Sequence, residues 1–438
     1  MTTTDLVSKL KSTVAVLIAA GAVALAGCGK QEEAAPAAGT DASTAAQSAG
    51  RMVRIGHAAP LTGDISHLGK DNENGALLAV EEANRKGITI GGEKITFELM
   101  SEDDEGKPDK GPIIAQKFVD AQVAGVVGHL NSGVTIPASA VYEQAGIPMI
   151  SGSATNPKLT EQGFKVTFRT VGRDDQQGPA VASYLIAEKK PKLVAVIDDA
   201  SAYGEGLANE VEKSLKAAGV KVLPREKGTT ETRDWKAVLT KLRGKKPEAI
   251  FYGGMDSAAG PMVRQGRELG MNVVFAFGDG ACTDKMAQLA GEAAEGLICS
   301  QAGIPAKAAN PDFIAAYRAR FNTDPIIYAP FTYDSVRLLI SAMQQADSVD
   351  PARYLPELHK LDYSGASGKI EFDEKGDRKD AEITIFTLQS GKIEPIAIIK
   401  GGSMVKFEDF VQQAGGAAAP AEAAASDGTQ AAPAGESR

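Results

Sequence analysis

Two short segments rich in small hydroxyl residues carry the clearest chemistry in this sequence. The first is Gly-His-Leu-Asn-Ser-Gly at 128–133, and the second is Ser-Gly-Ser-Ala-Thr-Asn-Pro at 151–157. Each follows an apolar run that is typical of a buried strand. Hydroxyls and backbone N–H groups at a strand end or a helix N-terminus stabilise an anion. One such loop would only cap a helix, but two on neighbouring strands predict a site for a carboxylate-sized anion.

Signatures of catalysis are weak or absent in the sequence. There is no Walker-type phosphate loop and no Gly-x-Ser-x-Gly elbow, and 204–206 matches only half of a dinucleotide fingerprint. The four histidines include no pair at i,i+4 spacing, so we expect neither a metal site nor a cofactor. We therefore predict that the chain is not an enzyme. An exported hydrolase that uses Ser132 or Ser153 is the remote alternative, and it lacks a credible base beside either serine.

Composition and charge narrow the class of partner. The 438-residue chain has a net charge of −9 and no basic block, which argues against nucleic acid as a partner. Hydrophobic residues make up 43% and charged residues 24%, which is ordinary for a soluble protein with sizeable cores. The stretch 52–410 has a length that suits two domains.

The elements that position the hydroxyl loops alternate along the chain. Strands that alternate with helices predict parallel sheets covered on both faces. In such sheets a ligand binds at the carboxyl ends of the strands, which is where the two loops lie. The predicted strands are 53–58, 95–100, 123–128, 148–151, 193–197, 220–223, 249–252 and 273–277, and the predicted helices are 75–84, 113–121, 179–188, 207–218, 235–242 and 259–269.

The pattern changes after about residue 305. Helical patterns at 311–321 and 332–345 precede strand-like runs at 369–372, 383–388 and 393–399. Because this ending differs from the repeating start, we predict that the chain returns to complete both domains.

The N-terminus resembles a bacterial lipoprotein signal. Lys9 and Lys11 precede an apolar run at 14–27, and this run is too short to span a bilayer, which needs roughly 20 residues. Small residues lead directly into Cys28, as in a lipobox, where the cysteine is lipidated and becomes the mature N-terminus. The alternative is a free cysteine near an ordinary cleavage site. We expect an exported, periplasmic protein anchored to a membrane by acyl chains, and the leaflet stays open.

Both ends of the chain outside the folded part have a low-complexity composition. We expect 29–51 to be a flexible tether and 411–438 a disordered tail, because neither can bury enough apolar surface to offset its conformational entropy. Transient helix is the alternative for the C-terminal tail. Between these ends lie two further cysteines, Cys282 and Cys299. In an exported protein they can form a disulfide, and two buried free thiols are the alternative.

An ordered series of motifs resembles the substrate-binding proteins of branched-chain amino-acid ABC transporters, the Leu/Ile/Val-binding group. The resemblance covers nearly all of 52–410, and the order and spacing of the motifs are more specific than any one of them. They lie at 53–56, 61–63, 75–76, 83–84, 128–130, 139–142, 151–155, 203–206, 252–254 and 373–377.

The resemblance implies a type I periplasmic binding protein: two Rossmann-like α/β lobes with parallel-sheet cores, joined by three crossing hinge strands. The N-terminal lobe would comprise 52–171 and 303–376, and the C-terminal lobe 172–302 and 377–410. The ligand would be trapped between the lobes by hinge closure. The implied function is high-affinity capture of an amino acid outside the cytoplasm, by a monomer, and delivery to an inner-membrane ABC permease with its ATPases.

The resemblance assigns ligand contacts on the first lobe position by position. Ser132 and Thr155 match positions that bind the ligand carboxylate through hydroxyl and N–H groups. Ser153 matches a position whose backbone carbonyl accepts a hydrogen bond from the ligand ammonium, and Ala154 belongs to the same binding segment. A zwitterion removed from water needs both of its charges satisfied by charge-assisted hydrogen bonds.

On the second lobe, Asp279 matches an acidic residue that pairs with the ammonium, and Tyr203 matches an aromatic residue that covers the ligand on closure. We expect Asp279 to be the only full negative charge near the ammonium.

Three positions depart from the family pattern. Leu68 stands where an aromatic residue is usual, Met255 stands where tyrosine is frequent, and Asp279 replaces a glutamate. The groups that recognise the amino-acid backbone are therefore kept while the side-chain pocket is altered, and Met and Leu walls repack easily. Leucine, isoleucine or valine is the predicted ligand; another amino acid, an amide or a small carboxylate, and a sensor rather than a transport role, remain alternatives.

Overall fold

The computed structural model describes residues 50–416, with side chains to Gln412. Cys28, nearly all of the expected tether and residues 417–438 lie outside this range. The described part begins with alternating strands and helices, as the sequence predicts. These elements are β1 (Arg51–Ala59), α1 (Ser66–Lys86), β2 (Thr89–Ile90), β3 (Glu93–Asp103), α2 (Lys110–Asp120), β4 (Gly125–Gly128), α3 (Ser132–Ala145), β5 (Met149–Ser151), α4 (Lys158–Glu161) and β6 (Thr167–Arg169).

A first sheet contains six strands in the order β2-β3-β1-β4-β5-β6. All neighbours are parallel except the short β2, which runs antiparallel to β3. The strands β4 and β5 are buried along their whole length, which explains their continuous apolar sequence.

The middle of the chain repeats the alternation in a second lobe. The short β8 and β9 both pair with β7 in parallel. The elements are α5 (Asp174–Tyr184), β7 (Leu193–Asp198), α6 (Ala202–Ala217), β8 (Lys221–Val222), β9 (Glu226–Lys227), α7 (Lys236–Lys245), β10 (Ala249–Gly253), α8 (Asp256–Glu268), β11 (Val274–Phe277), α9 (Lys285–Ala290) and β12 (Ile298–Gln301).

The chain then returns to the first sheet and finally to the second. The helix α11 packs along α1, and β13 and β14 form a separate hairpin. The elements of this last part are α10 (Pro311–Phe321), α11 (Ala329–Gln345), α12 (Pro351–Leu358), β13 (Asp362–Gly365), β14 (Gly368–Glu371), β15 (Ile383–Gln389), β16 (Lys392–Lys400), β17 (Ser403–Lys406) and α13 (Phe407–Gly416).

The second sheet contains strands from the middle of the chain and strands from its last part. Its order is β17-β16-β15-β12-β11-β10-β7-β8, with β9 alongside β7. Strands from the middle of the chain are parallel, whereas β15, β16 and β17 are antiparallel to their neighbours. The return of the chain that the change in pattern predicts therefore adds an antiparallel edge to a parallel sheet.

Three short segments connect the two sheets, after β6, after β12 and after β14. They are irregular stretches and not regular β-strands, which differs from the expected hinge strands. The Gly172 N–H donates to the Ala302 carbonyl at 2.9 Å, which joins the first two segments. The Asp377 carboxylate, in the third segment, pairs with Arg169 at 2.6 Å and Arg173 at 2.7 Å.

Several element boundaries differ from the predictions. The helix α1 begins at Ser66 and not at 75, because its first turns bury polar residues that an apolar periodicity misses; Asp71 and Asn72 are both buried. Strands β6 and β12 were not predicted from the sequence; β6 is only three residues long and ends in the buried Arg169. The helix α13 continues to Gly416, past the boundary at 410 where we expected the tail to start.

The structure joins Cys282, which follows β11, to Cys299 in β12 by a disulfide bond, with the two Cα atoms 5.3 Å apart. Within residues 50–416, no helix combines the length and the apolar character that a membrane span requires.

Candidate functional site

The two hydroxyl loops lie side by side at the carboxyl ends of neighbouring parallel strands. Strand β4 pairs with β5, so the loops that follow them are adjacent. The Ser151 hydroxyl donates to the His129 carbonyl at 2.9 Å and accepts from the Ala154 N–H at 2.9 Å. The Ser153 hydroxyl donates to the Leu130 carbonyl at 3.2 Å. These bonds fix one loop against the other, and the predicted juxtaposition is present.

The residues expected at the ligand carboxylate are buried on this edge. Ser132 is the first residue of α3, and its hydroxyl accepts from the Asn156 N–H at 3.3 Å. Thr155 is 1% exposed, and its Oγ1 has no hydrogen-bond partner among the described residues. Buried hydroxyls are nearly always paired, and this one lies beside the Asp174 carboxyl group, whose pKa it lowers.

Asp279, the expected partner of the ligand ammonium, lies on the second lobe, in the 3₁₀ turn Asp279–Ala281 that follows β11. The Asp279 carboxylate accepts a hydrogen bond from the Tyr203 hydroxyl at 2.9 Å and another from the Tyr328 hydroxyl at 2.7 Å. The Tyr203 hydroxyl in turn accepts from the Gly280 N–H at 3.0 Å. Burial raises the pKa of Asp279, and the two hydroxyl donors oppose that rise. The sequence identified Tyr203 but missed Tyr328.

A second buried carboxylate lies near the first. Asp174 opens α5, and its backbone N–H donates to the Thr155 carbonyl at 2.9 Å. Burial and the negative charge of Asp279 raise the pKa of Asp174. Asp279 is therefore not the only carboxyl group at this place, because the start of α5 contributes another. The expectation that Asp279 is the only full negative charge near a ligand ammonium stays a prediction.

The residues expected to form the apolar wall come together across the two lobes. Leu68 on α1 is fully buried, and Met255 at the N-terminus of α8 is 8% exposed. Both belong to one contiguous apolar cluster with Tyr203 and Tyr328. All eight residues that we expected to contact a ligand are thus buried within the described part of the chain.

Side chains at the rim, the edge of the cleft between the two lobes, connect the lobes directly. The His67 Nε2 atom of α1 lies 2.7 Å from an Asp256 carboxylate oxygen of α8, which also accepts from the Thr283 hydroxyl at 2.7 Å. The Asn156 amide donates to the Ala202 carbonyl at 2.6 Å. Because these bonds join elements of different sheets, the structure represents a state in which the lobes are closed on each other.

The geometry offers no catalytic pair at the two candidate serines. In residues 50–416, the Ser132 and Ser153 hydroxyls form hydrogen bonds with backbone groups and with the Asn72 amide, and none with a histidine or a carboxylate. The same part of the chain holds no group of three or more His, Cys, Asp or Glu side chains arranged for a metal ion. The arrangement can bind a small molecule that has both a carboxylate and a positively charged group.

The family described as periplasmic binding protein matches residues 52–392 of this sequence. That match extends from β1 to the first residue of β16 and includes all three connections between the sheets. The chain belongs to this family. The two-lobed fold expected from the resemblance is thereby confirmed, together with the membership itself.

Related binding proteins share most of their length with this one. The Leu/Ile/Val-binding protein homolog 1 of Brucella abortus is 37% identical over 341 residues, which are 77% of this chain and 91% of that protein. The leucine-, isoleucine-, valine-, threonine- and alanine-binding protein of Pseudomonas aeruginosa is 32% identical over 336 residues, which are 76% and 89% of the two chains.

A solved structure resembles this binding protein in the same way. The branched-chain amino acid transporter substrate binding protein from Streptococcus pneumoniae, in complex with isoleucine, superposes with a TM-score of 0.72 and 28% sequence identity. The superposition covers 80% of this chain and 100% of that one.

Proposed function

We propose that this binding protein captures leucine, isoleucine or valine between its lobes outside the cytoplasm and delivers it to an ABC permease. The observation that carries the proposal is that groups able to bind an anion and a group able to bind a cation face each other across the closed cleft. The Thr155 hydroxyl and the Ser132 loop lie on one lobe, and the Asp279 carboxylate lies on the other. The names of the relatives, and the isoleucine bound in the streptococcal structure, support the same ligand class.

The physical basis of capture is the pairing of both charges of a zwitterion. Hydroxyl and N–H donors at Ser132 and Thr155 bind the carboxylate, and the Ser153 carbonyl and Asp279 bind the ammonium. Charge-assisted hydrogen bonds in a site without water are strong enough to offset the loss of hydration. Since the partners lie on different lobes, a bound amino acid stabilises the closed state over the open one.

The apolar wall decides which amino acid binds best. Leu68 and Met255 present aliphatic and thioether surface in place of aromatic rings, so the pocket suits branched aliphatic side chains. A flexible methionine also adapts to side chains of different shape. The relative from Pseudomonas aeruginosa, which is named for five amino acids, is consistent with such a range.

The lobes that close on the ligand comprise 52–171 with 303–376 and 172–302 with 377–410, and the hinge consists of the three connections between the sheets. The ion pairs of Asp377 with Arg169 and Arg173 hold these connections together. The protein acts as a monomer without a cofactor, and it transports and does not catalyse.

Thermal denaturation of residues 50–416 with each common amino acid tests the ligand class. A ligand at 100 times its dissociation constant adds about 2.7 kcal/mol to the free energy of unfolding. We expect leucine, isoleucine or valine to raise the melting temperature, while mono- and disaccharides leave it unchanged. If no amino acid at millimolar concentration shifts the melting temperature, the function is a different one.

The anchor is proposed from the sequence alone. Lipidation of Cys28 would hold the folded part at a membrane by a tether, because two or more acyl chains give stable anchoring. We expect Cys28→Ser to release the protein into the soluble fraction with unchanged affinity for its amino acid. Retention of the variant in membranes washed at high salt would show that another segment anchors the chain.

A further inference from the structure

Asp174 is a buried carboxyl group without a cation partner. Its side chain is inaccessible to solvent and forms no ion pair with any described residue, and the neutral Thr155 hydroxyl is the side-chain donor that lowers its pKa. Asp174 also stands outside the set of contacts that the resemblance predicts. A charged group removed from water without a partner is strongly unfavourable. A fold that keeps such a group gains from it elsewhere, and a ligand that supplies the missing positive charge is the direct explanation.

Its surroundings place Asp174 at the ligand. The Asp174 N–H donates to the Thr155 carbonyl at 2.9 Å, and the buried Thr155 hydroxyl, expected at the ligand, lies beside the Asp174 carboxyl group and lowers its pKa. From the other side, the charge of Asp279 reaches Asp174 and, with burial, raises its pKa. The carboxyl group therefore lies between the carboxylate-binding loop of the first lobe and the ammonium-binding turn of the second.

Arg169, the cation that lowers the pKa of Asp174, forms no ion pair with either of these two carboxyl groups. Arg169 acts on Asp174 only through space. Its guanidinium donates to the Asp377 carboxylate at 2.6 Å, the Ala154 carbonyl at 2.8 Å and the Asn156 carbonyl at 3.0 Å. The hydrogen-bond donors of Arg169 are thus engaged beneath the loop, and a positive charge for Asp174 has to come from the ligand.

We propose that Asp174 is a second carboxylate for the ligand's ammonium group, so that the cleft selects its ligand by positive charge through two acidic residues and not through Asp279 alone. This inference rests on the proposed function and sharpens it. An analogue that replaces the amine by a hydroxyl keeps the carboxylate and the aliphatic side chain but brings only negative charge. Two acidic residues disfavour such an anion more strongly than one.

Affinities for L-leucine and for L-2-hydroxy-4-methylpentanoate, measured by titration calorimetry, test the proposal. Truncating one member of a buried charge pair weakens binding about 30-fold or more. We expect Asp174→Asn to weaken leucine binding by this factor and to leave the hydroxy acid unchanged or bound more tightly, so that the ratio of affinities falls. The matched control is Asp175→Asn: Asp175 is adjacent, its side chain is 37% exposed, and it pairs with Arg173 at 2.7 Å. The control should retain the wild-type ratio.

Equal losses for both ligands would assign Asp174 a packing role and overturn the inference, as would unchanged leucine affinity. If Asp174→Asn fails to fold, Asp174→Ser supplies the same ratio. A wild-type protein that binds no amino acid would overturn the proposed function and this inference with it. A wild type that binds leucine, with an unchanged ratio in the variant, overturns the inference alone.

Discussion

The two halves of the cleft hold polar groups in opposite ways. On the first lobe the loops at 128–133 and 151–157 offer neutral hydroxyls and N–H groups, most of which are already bonded to each other. On the second lobe Asp279 and Asp174 are acidic, and burial raises the pKa of both. Neutral groups are inexpensive to bury once hydrogen-bonded, whereas carboxylates are not. The first half is therefore nearly complete without a ligand, and the second half gains most from an arriving cation.

Asp279→Asn should show the largest effect, because it removes charge from the half that depends on it. The substitution leaves the ligand ammonium desolvated and without the Asp279 carboxylate. This loss costs on the order of 2–5 kcal/mol of binding free energy. Titration calorimetry with the best wild-type amino acid measures the loss.

Ser132→Ala provides the matched contrast on the first lobe. It removes one neutral hydroxyl that donates to the ligand carboxylate, so it should cost about 1.5–3 kcal/mol. A loss for Asp279→Asn no greater than that for Ser132→Ala would mean that the two halves do not differ as described.

The contrast also predicts a dependence of stability on pH in the ligand-free protein. The pKa of Asp174 is raised in the folded state by burial and by Asp279. Between the pKa of an unfolded aspartate, about 3.9, and the raised pKa, the folded protein binds more protons than the unfolded chain, so its stability falls as pH rises. Asp174→Asn removes this term. The variant should therefore gain stability relative to the wild type as pH increases through that window.

Urea unfolding of both proteins between pH 4 and pH 8 measures the difference. Other buried groups titrate in the same range: burial raises the pKa of Asp334 to about 6 and lowers that of His57 to about 4. Their contributions have opposite signs and are shared by both proteins, so they cancel in the comparison. A constant difference between variant and wild type across this range would show that Asp174 is not buried as a titrating group.

The ease of prediction from sequence differs between the halves for the same structural reason. The first half consists of two continuous loops that directly follow buried strands. Residue type and position in the sequence were therefore sufficient to predict that the two loops lie side by side. The second half is assembled from distant segments: Tyr328 bonds to Asp279 across 49 positions of sequence. Asp174 lies in an acidic first helical turn, which by itself predicts only a helix start.

The fold was predictable to a similar degree. Alternating periodicities indicated the parallel sheets, and the change in pattern after 305 indicated the return of the chain. The beginning of α1 was missed because Asp71 is buried there; its carboxylate accepts backbone N–H groups from the four residues 326–329. That contact fixes α1 against the N-terminus of α11, and no local pattern near Asp71 reveals it.

The contacts at the rim, which bring the halves together, should have an intermediate effect. His67→Ala leaves the Asp256 carboxylate, which is fully buried, with Thr283 as its remaining partner. Loss of the contact between His67 and Asp256 should weaken the closed state and speed ligand dissociation several-fold. Arg233 and Asp64 form an ion pair between the lobes at 2.6 Å, but their side chains are 36% and 71% exposed.

Arg233→Gln is therefore the matched control, because exposed ion pairs contribute only about 0.2–1 kcal/mol. Dissociation rates of the bound amino acid, measured by chasing labelled ligand, compare the two variants. If Arg233→Gln speeds release as much as His67→Ala does, burial of Asp256 has no special part in closure.

Met255→Leu should show the smallest change in affinity and the clearest change in preference. Met255 is 8% exposed and contributes apolar surface without charge, so a swap of similar volume should cost less than about 1.5 kcal/mol. Leucine at this position is branched and less flexible than methionine, so the wall should fit one of the three aliphatic ligands better than the others. Calorimetry with leucine, isoleucine and valine on variant and wild type gives both quantities. A reordering of the three affinities at nearly constant mean affinity would place Met255 in the side-chain pocket, apart from the charged groups that define an amino acid. A uniform loss as large as that of Asp279→Asn would instead mean that the wall supports the charged half.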